Sequence, residues 1–341
     1  VHEHIYSTYC RQTLTAPLDL KDIDMKRYRI LAINVIKSII YTNKVLLSLN
    51  PDITLAVHGI YTNHGPLVDL CRINNKSLTI WGVPYRRKTY FMTKGDTYHR
   101  SLIGIEKKLW DINLTKYEES KIISYLDAKE SGKRDYWSFK GVEQLKSSKK
   151  ISEIAKSKKI YSLFTNVMWD AQIYYNTNLF DNQIDWIKFT VDVLSEREDI
   201  HTVIRIHPAE ISQSKESLKD SLSDLLNSTY SSKITIIDPN DSFSSYELLR
   251  ISAKAIIYGS NISLESSYRE VPTIICGNSV FKQNEFCYLP NSREDYKNLL
   301  IENLHPLKNQ KLYATRFAYY VYFRIMLDSK WAENLLEFGT P

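Results

Sequence analysis

Five stretches of this sequence carry residue types that bind anions or move protons. The first is VIRIHPAE, Val203 to Glu210. Apolar residues alternate with Arg205 up to Ile206, and His207, Pro208 and Glu210 follow at what reads as a strand end. A histidine there can donate to a phosphate or serve as acid and base. Pro208 fixes the turn and removes a competing backbone donor. The bland alternative is a surface histidine; the company of Arg205 and Glu210 favours function. Arg205 itself points away by strand alternation and reads as structural. The second stretch is YGSNISLES, Tyr258 to Ser266. Gly259 lets the backbone turn, and Ser260, Asn261 and Ser263 open a helix whose N–H groups and dipole favour a phosphate. Plain N-capping by Ser260 or Asn261 is the alternative. Counted from Asn261, Glu265 lies one residue past the capping-box position, which leaves it to bond something else, such as a ribose.

The third stretch is FTNVMWD, ending in Asp170. A carboxylate after the first strand of a domain can act as a base or as a nucleophile toward an anomeric carbon. The following Ala-Gln-Ile would equally suit a helix that Asp170 caps. The fourth, VHGIYTNHGP, puts His58, Asn63 and His64 after a strand. With no third ligand evident it is not a zinc motif; the histidines line a cleft or simply sit in a loop. The fifth, PYRRKTYFMTKG, interleaves Arg86 and Arg87 with aromatic residues. Surfaces for single-stranded nucleic acid look like this, but no nucleic-acid module surrounds it, so we expect no nucleic-acid partner. Arg86 and Arg87 join His58, Asn63 and His64 as candidates on the acceptor side.

The elements that must position these residues alternate along the chain. Residues 24–49 have helical spacing of apolar residues. Strands are expected at 52–59, 77–83 and 88–95, with a short helix at 66–73 and helix through much of 99–128. From about 129 to 157 the text turns charged and aperiodic, as an inter-domain connection does. Strands then recur at 159–166, 201–208, 233–238, 253–260 and 272–277. Helices are expected between them at 182–196, 210–227, 244–252 and 262–270. Short apolar strands separated by helices predict a parallel, doubly wound α/β sheet, with ligands beyond the strands' carboxyl ends. Residues 311–338 read as one long aromatic-rich helix that packs back on the first domain. The expected domains are 1–150, 151–310 and the crossing helix 311–341.

Composition bounds the partners. The chain has 341 residues with 10 glycines and neither GxGxxG nor GxxxxGK[ST], which excludes the common glycine-rich nucleotide loops. Residues 1–150 hold 25 Lys and Arg against 15 Asp and Glu, while the remainder holds 20 against 24. A basic first half predicts an anionic partner, whether a lipid surface, a phosphorylated acceptor or an acidic glycan; solubility alone is the other explanation. Four scattered cysteines predict free thiols in a reducing compartment. No run of 18 apolar residues predicts a transmembrane span, and no signal peptide is evident. The sequence begins on Val1 rather than Met, so its numbering is expected to start inside a longer chain.

Taken in order, FTNVMWDAQI, IRIHPAE and IIDPNDSFSSYELLRISAKAIIYGSNISLESSYREVPTII resemble the donor half of GT-B glycosyltransferases. The likeness is to bacterial capsule and surface polysaccharide biosynthesis proteins, Kdo-transferase-type members included. It covers roughly 159–277 by motif and the rest by layout. It implies two Rossmann-like parallel-sheet domains facing a cleft. It implies that His207–Pro208 contacts the nucleotide phosphate; Glu210 would then orient His207 or the nucleotide. Ser260, Asn261, Ser263 and Glu265 would hold the rest of the nucleotide, and Asp170 would lie at the reacting centre. It implies a sugar moved from a nucleotide-sugar, such as a CMP-Kdo-like donor, to a lipid-linked or oligosaccharide acceptor, with no metal or cofactor. The setting would be the cytoplasm, at the inner face of a bacterial membrane. One departure is visible: the glycine expected two residues before Pro272 is Glu270. Teichoic-acid glycerophosphate polymerases share a similar layout. A nucleotide-sugar epimerase and a non-catalytic glycan-binding protein are the other readings.

Overall fold

The computed structural model describes residues 1–16, 20–82, 85–86, 88–97, 111–131, 149–170, 179–210, 218–222, 231–277 and 279–328. The chain is α/β, built on two sheets. The larger has five strands: β4 (Lys159–Phe164), β5 (Ile200–Arg205), β6 (Ile234–Ile237), β7 (Ser252–Ile257) and β8 (Thr273–Ile275). Their order is β6-β5-β4-β7-β8 and every pair is parallel. Parallel strands covered on both faces read as continuous apolar runs, and all six residues of β5 are buried. Alternation sends Tyr161 and Leu163 of β4 to one face, with Trp186 and Tyr296, and Ile160 and Phe164 to the other, with Leu248 and Ile262. On the first face Trp186 Nε1–H donates to the Tyr296 hydroxyl at 2.8 Å, which fixes helix Gln183–Ser195 against helix Arg293–Ile301.

The smaller sheet contains β1 (Thr54–Val57), β2 (Leu78–Gly82), β3 (Thr89–Lys94) and β9 (Met326–Asp328) in that order. Only β1 and β2 are parallel; β3 runs antiparallel to both β2 and β9. The expectation of a parallel first sheet is corrected here. Helix Gly65–Ile73 gives the β1–β2 crossover its length, whereas only residues 83–88 join β2 to β3, too few for a parallel crossover. The expected helix 311–338 is also corrected over 311–328; residues 329–338 lie outside the described residues. Helix Gln310–Tyr319 packs on helix Lys116–Glu130, loosens into a π-helical turn at Tyr320–Arg324, and ends in β9. Met326–Asp328 pairs with Thr89–Phe91 and covers the free edge of β3. The return to the first sheet is therefore made by a strand.

Other boundaries moved. β5 ends at Arg205, so His207 and Pro208 lie wholly in the loop. Of the expected helix 210–227 the described part is Leu218–Ser221; of the expected helical stretch 99–128, residues 99–110 lie outside the described residues and the described helix is Lys116–Glu130. Most of the predicted connection 129–157 lies outside the described residues. Helices His2–Thr13 and Arg293–Ile301 were not expected. Nor was a membrane-length helix, yet Met25–Leu49 is long and apolar enough to cross one by length and composition, with mean hydropathy 1.5 over 18 residues. All four cysteines are buried free thiols.

Candidate functional site

The chain lays down β4, β5 and β6 in one direction, then returns to the other side of β4 for β7 and β8. This reversal makes a crevice beyond the carboxyl ends of β4 and β7. Three loops meet there: 165–170 after β4, 206–210 after β5 and 258–261 after β7. The His207 turn is held from several sides. Its backbone N–H donates to Thr165 Oγ1 at 3.0 Å, and the Ala209 N–H donates to His207 Nδ1 at 3.2 Å. An Nδ1 that accepts leaves the ring proton on Nε2. Burial, helped by the Arg205 charge, pulls the imidazole down to about 4. His207 is therefore a neutral ring near pH 7, with its proton on Nε2.

Arg205 is structural, as alternation suggested. It is buried, and it donates to the backbone carbonyls of Asp238 and Asp241, pinning the loop after β6. Glu210 is 6% exposed. Its Oε2 accepts the Leu218 N–H at 3.2 Å, while Oε1 has no hydrogen-bond partner among the described residues. Burial raises its carboxyl to about 7. Asn166, which directly follows Thr165, is locked by Gln183 through 2.6 and 2.9 Å backbone bonds. Its own side-chain Oδ1 is buried and has no partner among the described residues.

Beyond β7, Tyr258 leads into Gly259, Ser260 and Asn261. The Ile262 N–H donates to Ser260 Oγ at 3.3 Å, and the Ser263 hydroxyl donates to the Ser260 carbonyl at 2.8 Å. Asn261 occupies the cap position without a side-chain cap bond. Glu265 stays out of the cap, as its spacing implied, but it has another partner. Lys129 Nζ lies 2.6 Å from its Oε1, and both side chains are largely buried. Burial and Glu265 together lift the Tyr246 phenol well above its ordinary range. Helix Ile262–Tyr268 closes with Glu270 N–H donating to Ser267 O and Val271 N–H to Ser266 O. That is a Schellman ending with Glu270 at φ 59°, the left-handed position that favours glycine. The departure seen in the sequence is thus a glutamate occupying a glycine's conformation.

The first half supplies the opposing wall, through a helix that sequence reasoning missed. Ile5, Tyr9 and Cys10 of His2–Thr13 pack in one cluster with Val167 and Trp169 after β4 and Ala209 after β5. Arg11 stacks on Trp169, its guanidinium carbon 4.4 Å from the ring centroid. It forms no ion pair among the described residues. The Asp170 carboxylate is exposed, and after burial it is the next largest influence raising the phenols of Tyr61 and Tyr85. His58 stacks on Tyr61 at 5.0 Å. Burial, then His64 and Arg11, pull His58 down to about 4; burial also lowers His64. So Arg11, His58, Tyr61 and His64 share one neighbourhood with Asp170. Asn63 is exposed on the same loop and accepts from the Thr62 hydroxyl at 3.4 Å. Arg86 is used elsewhere: it donates to the Tyr322 carbonyl at 3.0 Å and pairs with Asp328 at 2.6 Å, fastening β9. Arg87 and the residues after Asp170 that would test its capping role lie outside the described residues.

Among the described residues no three His, Cys, Asp or Glu side chains gather in a metal-binding group. A cavity of about 380 Å³ lined by Glu130, Tyr246, Arg250, Arg269 and Val271 lies at the amino ends of β7 and β8, away from the crevice.

No protein-family description and no curated protein sequence matches the chain. Solved structures do. The KpsC β-Kdo 2,4-transferase of Thermosulfurimonas dismutans is 10% identical, covering 77% of this chain and 78% of its own, with TM-score 0.47. The β-Kdo 2,7-transferase from the same protein name and organism is 12% identical over 81% and 79%, with TM-score 0.45. A UDP-N-acetylglucosamine 2-epimerase is 10% identical over 87% and 73%, with TM-score 0.33. These likenesses are too distant to assign an activity, and the functional reading stands on the chain's own residues.

Proposed function

We propose that the chain is a glycosyltransferase that moves a sugar from a nucleotide-sugar donor to a growing capsular or lipopolysaccharide glycan. The observation that carries this reading is the His207 turn, a neutral imidazole on the loop after β5, next to the switch point between β4 and β7 and fastened to Thr165 of the loop after β4. Fixed neutral donors stabilise a departing phosphate without reorganisation. The Ser260–Ser263 turn across the switch point and the Arg11 guanidinium supply further polarity and charge for the nucleotide. Asp170 is the candidate reacting carboxylate, as base or as nucleophile, because it faces Tyr61 and the His58–His64 loop where an acceptor would enter. Lys129 holds Glu265, so a ribose contact there would be shared with that pair. The resemblance favours a CMP-Kdo-like donor, no metal, and work at the cytoplasmic face of a membrane.

The test is nucleotide release from CMP-, UDP-, GDP- and CDP-linked donors, with and without oligosaccharide acceptors. The reading expects release from one donor class that depends on acceptor. Asp170→Asn should abolish turnover and spare nucleotide binding. Interconversion of the donor sugar without acceptor would instead mark an epimerase. Most activity surviving in Asp170→Asn would remove that residue from its role.

A further inference from the structure

Helix Met25–Leu49 has an outward face that the fold leaves uncovered. Leu31, Val35 and Leu46 are at most 5% exposed and commit one side to the protein. On the other side Ile30, Ile33, Ile36, Ile40 and Leu47 are each more than half exposed. At 3.6 residues per turn, Ile33, Ile36, Ile40 and Leu47 fall within an arc of about 60° and run along about 20 Å of helix. Single exposed apolar residues are ordinary, but a continuous stripe marks an interaction surface. Near the carboxyl end of the helix Leu49, Ile53, Leu55 and Ile73 are exposed as well, and Lys76 bonds Asn50 there.

Charge selects the occupant. The helix carries Lys26, Arg27, Arg29, Lys37 and Lys44 and no acidic residue. None of the five forms an ion pair among the described residues. The same helical arithmetic sets Lys26, Lys37 and Lys44 along one flank of the apolar stripe. Two copies of this face would set cation against cation. A spanning helix would bury Lys37 near its middle and would have to release Leu31, Val35 and Leu46 from the protein. We propose that this face docks on an anionic lipid surface, the helix lying in the plane of the interface with its isoleucines inserted and its lysines on the headgroups. The inference uses none of the crevice residues, so it stands or falls separately from the sugar-transfer reading.

The test is co-sedimentation of the full chain with phosphatidylglycerol-containing vesicles and with pure phosphatidylcholine vesicles, at low and high salt. Expected is binding to the anionic vesicles at least about tenfold tighter than to the neutral ones, weakened as salt shortens the Debye length from about 10 to about 3 Å. Ile33→Asp with Ile40→Asp should abolish it, and so should Lys37→Glu with Lys44→Glu. All four positions are exposed, and unchanged circular-dichroism melting would certify the fold. Failure of the wild type to bind the anionic vesicles, or equal binding to both kinds, overturns the proposal. So does a dimer in sedimentation equilibrium that Ile33→Asp with Ile40→Asp dissociates, because the occupant would then be a second copy.

Discussion

Glu210→Gln tests how the turn at the mouth of β5 is built. The Glu210 carboxyl is buried, has one partner in the Leu218 N–H at 3.2 Å, and is raised by burial from 4.5 to about 7. The displacement corresponds to about 3 kcal/mol at about 1.4 kcal/mol per pH unit. The folded chain holds this proton where the unfolded chain has lost it. The contribution is therefore complete below about pH 4.5 and lost as pH rises through about 7. Glutamine keeps an oxygen for the Leu218 N–H and cannot ionise. The variant should match the wild type near pH 4.5 and exceed its stability by about 3 kcal/mol near pH 8. Histidines hide this in the wild type. His58, His201 and His207 are each pulled down to about 4, so their contributions are present above about 6.5 and fade as pH falls through about 4. The difference between the two proteins isolates the carboxyl. Urea unfolding of both across this range is the assay. A difference that stays flat with pH would refute the account of a desolvated Glu210.

Two further outcomes concern the frame around the crevice. Lys129→Met removes the cation from a buried pair and leaves Glu265 uncompensated; a loss of about 3–5 kcal/mol in urea unfolding is expected, and a loss below about 1 kcal/mol would show the pair to be solvated. Glu270→Gly relieves a left-handed residue worth about 1–2 kcal/mol but loosens the unfolded chain by about 0.5–1 kcal/mol. A net gain of up to about 1.5 kcal/mol should appear as a higher urea midpoint, and Glu270→Val should lower it.

The parallel sheet was legible because its strands are buried on both faces and so appear as short apolar runs between polar loops. The loops that meet in the crevice follow from that topology, which is why His207, Asp170 and Ser260 could be named from the sequence. Helix His2–Thr13 was not legible because its buried side is polar. His4, Ser7 and Thr8 are buried with Ile5, Tyr9 and Cys10, and His4 reaches Asp69 at 2.8 Å while Thr8 accepts the Thr62 N–H at 2.9 Å. These partners lie more than fifty residues away, so no periodicity announces them, and Arg11 was missed with the helix. The direction of β3 was readable in principle, because residues 83–88 are too short for a crossover. Pairing of Glu265 with Lys129 was not, since spacing within one helix says nothing of a cation brought by another.

The most direct test of the donor crevice is a thermal-shift panel of CMP, CDP, UDP, GDP and dTDP on the wild type and on His207→Ala. At about a hundred times its Kd, a bound nucleotide adds about 2.7 kcal/mol, a rise of a few degrees for a chain of this size. The account predicts a rise for one nucleotide class and its loss in His207→Ala, with CMP pointing to a Kdo-like donor and CDP to a glycerophosphate. No rise with any of the five, or an undiminished rise in His207→Ala, would contradict it.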